Sequence, residues 1–142
     1  MKKIFSSLFI MAAITAMVST SSCTKVCDEG YEGSDCKTEV RAKFLGQYQG
    51  NETCTVGTDA YTLTVAASST DVLKISLSNV YNQGFTAVAT VNGNAITVES
   101  QTVASGVTVS GTGTLTGTTI AFTYAIASPA GNNSCTFTGT KI

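Results

Sequence analysis

The side chains able to do chemistry in this chain of 142 residues are few, and sulfur dominates them. There are five cysteines, Cys23, Cys27, Cys36, Cys54 and Cys135, and no histidine. Without an imidazole there is no Ser-His-Asp or Cys-His nucleophile and no His-ligated metal. The cysteines are spaced for bridges rather than for a zinc cluster, and no Gly-rich loop follows a strand and opens a helix as phosphate binding requires. Paired-carboxylate hydrolysis would have to draw on Glu52, Asp59, Asp71 and Glu99. Alternation puts Glu99 outward, while Asp59 and Asp71 sit in turns, so all three read as solvated charges. Glu52 is the exception. It shares parity with Tyr48 and Cys54, so strict alternation points it inward, where a carboxylate is costly unless paired or wet. A bulge at Gly50-Asn51 would turn it out to solvent, which is the preferred reading. The inward alternative makes Glu52 a cavity residue with a ligand role. Taken together, these residues argue against an enzyme and call for no cofactor and no metal.

The odd cysteine needs a separate fate. Lys2 and Lys3 open the chain, an apolar stretch runs from Ile4 to Val18, and Ser19-Thr20-Ser21-Ser22 precedes Cys23. A basic start, a short apolar core and small residues before the cut describe an export signal over residues 1–22. The stretch is shorter than the ~20 residues a spanning helix needs. A cysteine at the cleavage point resembles the acceptor of bacterial lipoproteins. That resemblance implies that Cys23 is lipidated, carries acyl chains such as palmitate, and becomes the new N-terminus. Thr24 is not the aspartate associated with inner-membrane retention, so the expected location is the outer membrane, facing the periplasm or the surface. The alternative is ordinary cleavage after Ser22, leaving Cys23 as a free or intermolecular thiol. With Cys23 lipidated, four cysteines remain to close two disulfides in an oxidising compartment.

The formal charge is −1, and removing Lys2 and Lys3 with the signal takes it to about −3. No basic patch with interleaved aromatics is present, which excludes nucleic acid as an expected partner. Only 12% of residues are charged, and most of the mature ones crowd between Lys25 and Lys43. The remaining surface must be covered by Thr, Ser, Asn and Gln, as suits an extracellular β-protein and not a disordered chain.

Residues 23–43 form a leader containing Cys27-Asp28-Glu29-Gly30-Tyr31-Glu32-Gly33-Ser34-Asp35-Cys36. Gly30 and Gly33 allow the positive backbone angles of a tight double turn. The pattern C-x-x-G-Y-x-G-x-x-C resembles the C-terminal half of an epidermal-growth-factor-like (EGF-like) module. The resemblance implies a Cys27–Cys36 bridge under Tyr31, with no calcium site, and a spacer that lifts the next domain off the membrane. Thr38 to Lys43 then reads as a polar connector able to form one helical turn.

From Phe44 to Ile142 the signal is period-two alternation broken by turn residues. Tyr61, Leu63 and Val65 share a face, as do Leu73, Ile75 and Leu77, then Phe85, Ala87, Ala89 and Val91. Asn92-Gly93 is a two-residue hairpin signal. Ile96 and Val98 follow, then Val107, Val109 and Leu115 on a long strand eased by Gly111 and Gly113. Ile120, Phe122, Tyr124 and Ile126 form the clearest strand, and Cys135 and Phe137 end the series. Pro129 lies in the loop signal over residues 128–133, where it interrupts no ladder. About eight strands joined by short turns predict an all-β, single antiparallel meander with an apolar inside and a Thr-rich outside.

Cys54 lies near the end of the first strand and Cys135 on the last, both with inward parity. A Cys54–Cys135 bridge brings their Cα atoms within about 7 Å, so in a meander the first and last strands meet and close a small barrel. A two-layer β-sandwich is the runner-up, but immunoglobulin-like sandwiches pack a Trp on their bridge, and this chain has none. Phe44-Leu45-Gly46-Gln47-Tyr48 resembles the opening strand of lipocalin-like domains, with Tyr48 where Trp is usual and the accompanying basic residue unassigned. As a whole the chain resembles small Bacteroidetes-type lipoproteins, which implies no active site. The functional expectation is a lipid-anchored envelope protein with a non-enzymatic structural or interaction role. The alternative is a lipocalin-like binder of a small apolar ligand lined by Tyr48, Glu52, Tyr61, Phe85, Phe122 and Tyr124. Eight short strands in under a hundred residues favour an interior filled by its own side chains, hence the first. An enzyme ranks third. The partners left open are an unidentified protein or a small apolar molecule, besides the membrane.

Overall fold

A computed structural model describes residues 26–142; the export signal expected over residues 1–22 and the lipidation expected at Cys23 lie outside the described residues. Two short strands, β1 (Tyr31–Glu32) and β2 (Thr38–Glu39), pair antiparallel beneath the Cys27–Cys36 disulfide. A 3-10 turn over Val40–Phe44 leads into eight strands: β3 (Gly46–Cys54), β4 (Gly57–Ala67), β5 (Lys74–Val80), β6 (Phe85–Asn92), β7 (Ala95–Ala104), β8 (Val107–Thr116), β9 (Thr119–Ser128) and β10 (Gly131–Lys141). Each pairs antiparallel with the next, and β10 pairs with β3, so the meander is a closed barrel and not a sandwich. Cys54 and Cys135 are directly opposite at that seam and are bonded.

The alternation is realised strand by strand. Leu63, Ile75, Leu77, Ala87, Ile96, Ile120, Phe122 and Phe137 are buried inside, while Thr123, Ala125, Thr136 and Thr138 are exposed outside. Gly111 and Gly113 do more than ease their strand: both point inward. A Cβ on Gly111 would lie 2.5 Å from both the Tyr124 Cβ and the Thr123 carbonyl oxygen, so the missing side chain is what lets β9 approach β8 there. Several local expectations shift. Phe44 and Leu45 precede the first strand, and Phe44 ends the 3-10 turn wholly buried, plugging one end of the barrel. Leu73 lies in a turn one residue before β5. The β6–β7 turn is centred on Gly93-Asn94, one residue later than expected. Only Gly93 has positive φ (+58°), the pattern of a type II′ turn with Gly first.

Two basic residues seal the plugged end. Arg41 Nη1 donates to the carbonyl oxygens of Ser68, Asp71 and Lys74 at 2.7, 2.7 and 3.1 Å, while its Nε pairs with Glu39 at 2.8 Å. That guanidinium holds the Glu39 carboxyl below its usual range, chiefly through the hydrogen bond. Lys141 supplies the basic residue that the lipocalin resemblance implies: its Nζ lies 5.9 Å from the Tyr48 ring centroid and donates to the Lys43 carbonyl. The Tyr48 hydroxyl in turn donates to the Phe44 carbonyl at 2.8 Å. Truncating Arg41 to alanine strands the Ser68 carbonyl, while those of Asp71 and Lys74 keep the backbone amides of Lys74 and Ser68, and a charged donor to a carbonyl contributes about 2 kcal/mol. Arg41→Ala is therefore expected to lower the unfolding free energy by about that amount, read as a lower urea midpoint with an unchanged slope.

The opposite end is open. Here the turns β3–β4, β5–β6, β7–β8 and β9–β10 form a rim. Strands β6 and β7 pair only over Thr90–Asn92 and then part. The Gln101 side chain spans the gap, accepting from the Val88 amide at 2.8 Å and donating to the Val88 carbonyl at 2.7 Å.

Candidate functional site

Glu52 faces inward. The β3 ladder runs without a shift from Gly46 to Cys54 against β4, and from Tyr48 to Cys54 against β10, so the bulge preferred from sequence is absent. Close approach makes the regular ladder possible: Gly50 lies opposite Gly139, and a Cβ at Gly50 would fall 2.1 Å from the Thr138 carbonyl oxygen. The Glu52 side chain is 3% exposed. Its Oε1 accepts from the Tyr61 hydroxyl at 2.6 Å and from the Tyr124 hydroxyl. Its Oε2 has the Cys54 sulfur 3.4 Å away, but a disulfide sulfur has no proton to donate. No cation pairs with Glu52 among the described residues.

Below the carboxylate lies an aromatic layer. The Tyr61 and Phe137 rings are 4.9 Å apart, and Phe122 stacks on Tyr124 at 4.7 Å. Burial, reinforced by the bond to Glu52, pushes both the Tyr61 and the Tyr124 hydroxyls well above the ordinary phenol range, and burial also raises Tyr48. The two phenols therefore remain donors to Glu52. The unfolded chain ionises these buried tyrosines near pH ~10, while the folded one keeps them protonated to higher pH, so the unfolded state binds fewer protons above that point. Stability is fully present below pH ~10 and falls as pH rises, by about 1.4 kcal/mol per pH unit for each buried tyrosine. Urea midpoints between pH 9 and 11 check this, with Tyr61→Phe flattening the slope.

Above Glu52 the barrel opens into two adjoining cavities. One, of about 400 Å³, has walls that include Val56, Phe85, Val107 and Ile126. The other, of about 210 Å³, is bordered by Glu52, Asp59 and Gly57. Val56, Tyr81, Gln83 and Asn133 border both. Asn133 is 8% exposed; its Nδ2 donates to the Tyr81 hydroxyl at 2.9 Å, and its Oδ1 has no partner. Tyr81 and Asn82 carry φ of +61° and +48°, a left-handed conformation that costs a non-glycine roughly 1–2 kcal/mol. Such strain collects where a rim must hold a fixed shape.

Of the ligand-lining residues expected from sequence, Glu52 and Phe85 border these cavities. Tyr61 and Tyr124 hold Glu52 from beneath. Tyr48 and Phe122 are packed core, because the lower part of the barrel is filled by its own side chains. Asp59 lies in β4 rather than in a turn, exposed at the rim, where its Oδ2 accepts from Asn82 Nδ2 at 2.6 Å. Asn133, assigned to a loop from sequence, is in β10. Its parity with Cys135 and Phe137 was the signal that would have placed it inside. Glu52 and the sulfurs of Cys54 and Cys135 lie within 4.8 Å of one another. The sulfurs are spent on each other, so this trio offers a metal no thiolate.

The crystal structure of zebrafish ileal bile acid-binding protein complexed with cholic acid aligns at a TM-score of 0.43 and 8% identity, covering 71% of this chain and all of that one. No protein-family model and no curated protein matches the chain. The closed barrel rests on the strand pairing itself, and the reading of the site rests on its own geometry.

Proposed function

We propose that this chain is a non-enzymatic, lipid-tethered envelope barrel that holds a small molecule in its open mouth. The observation that carries the reading is Glu52, a buried carboxylate that borders a cavity, with two tyrosine donors to one oxygen and no cation among the described residues. A structural barrel gains nothing from such a cluster, since apolar groups in place of both the carboxylate and the two hydroxyls would be cheaper. The filled lower barrel supports a shallow site at the rim instead of deep carriage. This reading reverses the preference drawn from sequence, which rested on a wholly filled interior.

The tether reading rests on the signal-like residues 1–22 and Cys23, and the EGF-like reading of the leader rests on its cysteine and glycine spacing. The leader packs at the plugged end, where Gly30 meets Val72 and Leu73. A lipid on Cys23 would therefore leave the mouth facing away from the bilayer. Cys23→Ser is expected to move the protein from the membrane to the aqueous fraction; a membrane-bound variant contradicts the tether.

Binding is tested by native mass spectrometry of the full protein purified without denaturant, beside a Val107→Trp variant that fills the larger cavity. The expected result is a discrete added mass of one small molecule per chain, lost in the variant. A bare mass under conditions that keep the protein folded contradicts the reading.

A further inference from the structure

The chemistry of the mouth specifies what it can accept. Glu52 Oε2 has no proton donor, and Asn133 Oδ1 is buried without one. Both residues border the same 210 Å³ cavity, and Asp59 stands at its edge. Among the described residues, no lysine or arginine borders either cavity. In the barrel domain and the turn that plugs it, the cations lie away from the rim. Arg41, Lys43 and Lys141 gather at the plugged end, and Lys74 pairs with Asp71 beside the β4–β5 loop. The floor thus presents acceptors and negative charge, with nothing to neutralise them.

A buried acceptor without a donor costs roughly 1–3 kcal/mol, and an unpaired buried carboxylate costs more. A ligand that supplies N–H donors on a positive charge relieves both at once, through charge-assisted bonds. A ligand carboxylate would face Glu52 and Asp59 with like charge and would leave Asn133 Oδ1 unpaired. The adjoining 400 Å³ chamber, with Val56, Phe85, Val107 and Ile126 in its wall, suits a compact apolar body.

Building on the proposal that the mouth binds a small molecule, we infer that its ligand is an amphipathic amine. The ammonium sits between Glu52 Oε2 and Asn133 Oδ1, and the apolar part sits in the larger chamber. This is opposite in sign to a site for fatty or other carboxylic acids.

Three probes of matched size separate the possibilities: hexylammonium, hexanol and hexanoate, each titrated into the full protein at pH 7 with amide chemical shifts as readout. The amine is expected to bind at least tenfold tighter than the alcohol, and the acid weaker than the alcohol. Glu52→Gln should bring the amine down to the alcohol's affinity. Asn133→Asp, which adds an anion where the lone acceptor stands, should tighten the amine severalfold and guards against misfolding of the first variant. Hexanoate binding as tightly as hexylammonium, or an amine preference that survives Glu52→Gln, overturns the inference while leaving a binding mouth intact. Failure of all three probes to shift any rim residue overturns the binding reading itself. Calcium chloride serves as a further arm: saturable calcium binding that displaces the amine would assign the acceptors to a metal and also overturn the inference.

Discussion

Replacing Cys54 and Cys135 together with serine is expected to remove about 4–5 kcal/mol of folding free energy. The bridge spans 81 residues, and in the chain-entropy model a loop of that size contributes this amount by restricting the unfolded chain. A domain of this length has about 5–15 kcal/mol in all, so the double variant should be marginal at 37 °C. The effect is larger than for a disulfide at a sheet edge, because this one joins the only two barrel strands that are not neighbours in sequence. Losing it also introduces two hydroxyls beside Glu52, one of them on the fully buried Cys135 position. Equilibrium urea unfolding, with and without reductant on the native sequence, measures the loss. By contrast, Cys27 and Cys36 close a loop of 9 residues in an exposed leader, and replacing them should cost the barrel little.

Glu52 gives the second large effect, and the contrast between two substitutions is its signature. Glu52→Leu removes the same charge as Glu52→Gln but leaves the Tyr61 and Tyr124 hydroxyls buried without an acceptor, at about 1–3 kcal/mol each, so it is expected to be about 3 kcal/mol less stable than Glu52→Gln. Glu52→Gln keeps an oxygen for both hydroxyls and removes an uncompensated charge from the interior. An ion buried without its counter-ion costs several kcal/mol even after relaxation, more than is lost when two charge-assisted bonds become neutral ones. The ligand-free glutamine variant is therefore expected to be about 1 kcal/mol more stable than the native protein while losing its preference for an amine. A group that lowers stability yet is poised for binding is the usual compromise at a functional site. Thermal melts of the three proteins, ligand-free, decide it: equal losses for leucine and glutamine would mean that the carboxylate is structural.

The strand count and closure were legible because alternation is a parity code and both ends of the meander carried a cysteine of inward parity. The side occupied by Glu52 was not, since a one-residue bulge reverses parity and Gly50-Asn51 looks like a place for one. What prevents the bulge is tertiary: Gly50 and Gly139 face each other across the seam and let β3 and β10 approach with no side chain between them. Asn133 was hidden by composition, because a Gly-Asn-Asn run looks like a loop although its parity continues into Cys135 and Phe137. The plugged end was unreadable for another reason. Arg41 and Lys141 act on carbonyls 27 to 98 residues away, and no local pattern announces a backbone acceptor. Two aligned features of the site, an inward carboxylate and an inward amide, thus emerged only when β3 and β10 were brought side by side.

The account turns on one oxygen of Glu52 being open to the mouth and free to meet a ligand. Carbon-13 NMR of the glutamate side-chain carboxyls measures this directly, with the Glu52 resonance assigned by its loss in Glu52→Gln. On titration with hexylammonium, that resonance is expected to move and saturate at one equivalent, while those of Glu29, Glu32, Glu39 and Glu99 stay in place. A Glu52 carboxyl that stays fixed while the amine saturates the protein, or while the exposed glutamates move together, would contradict it.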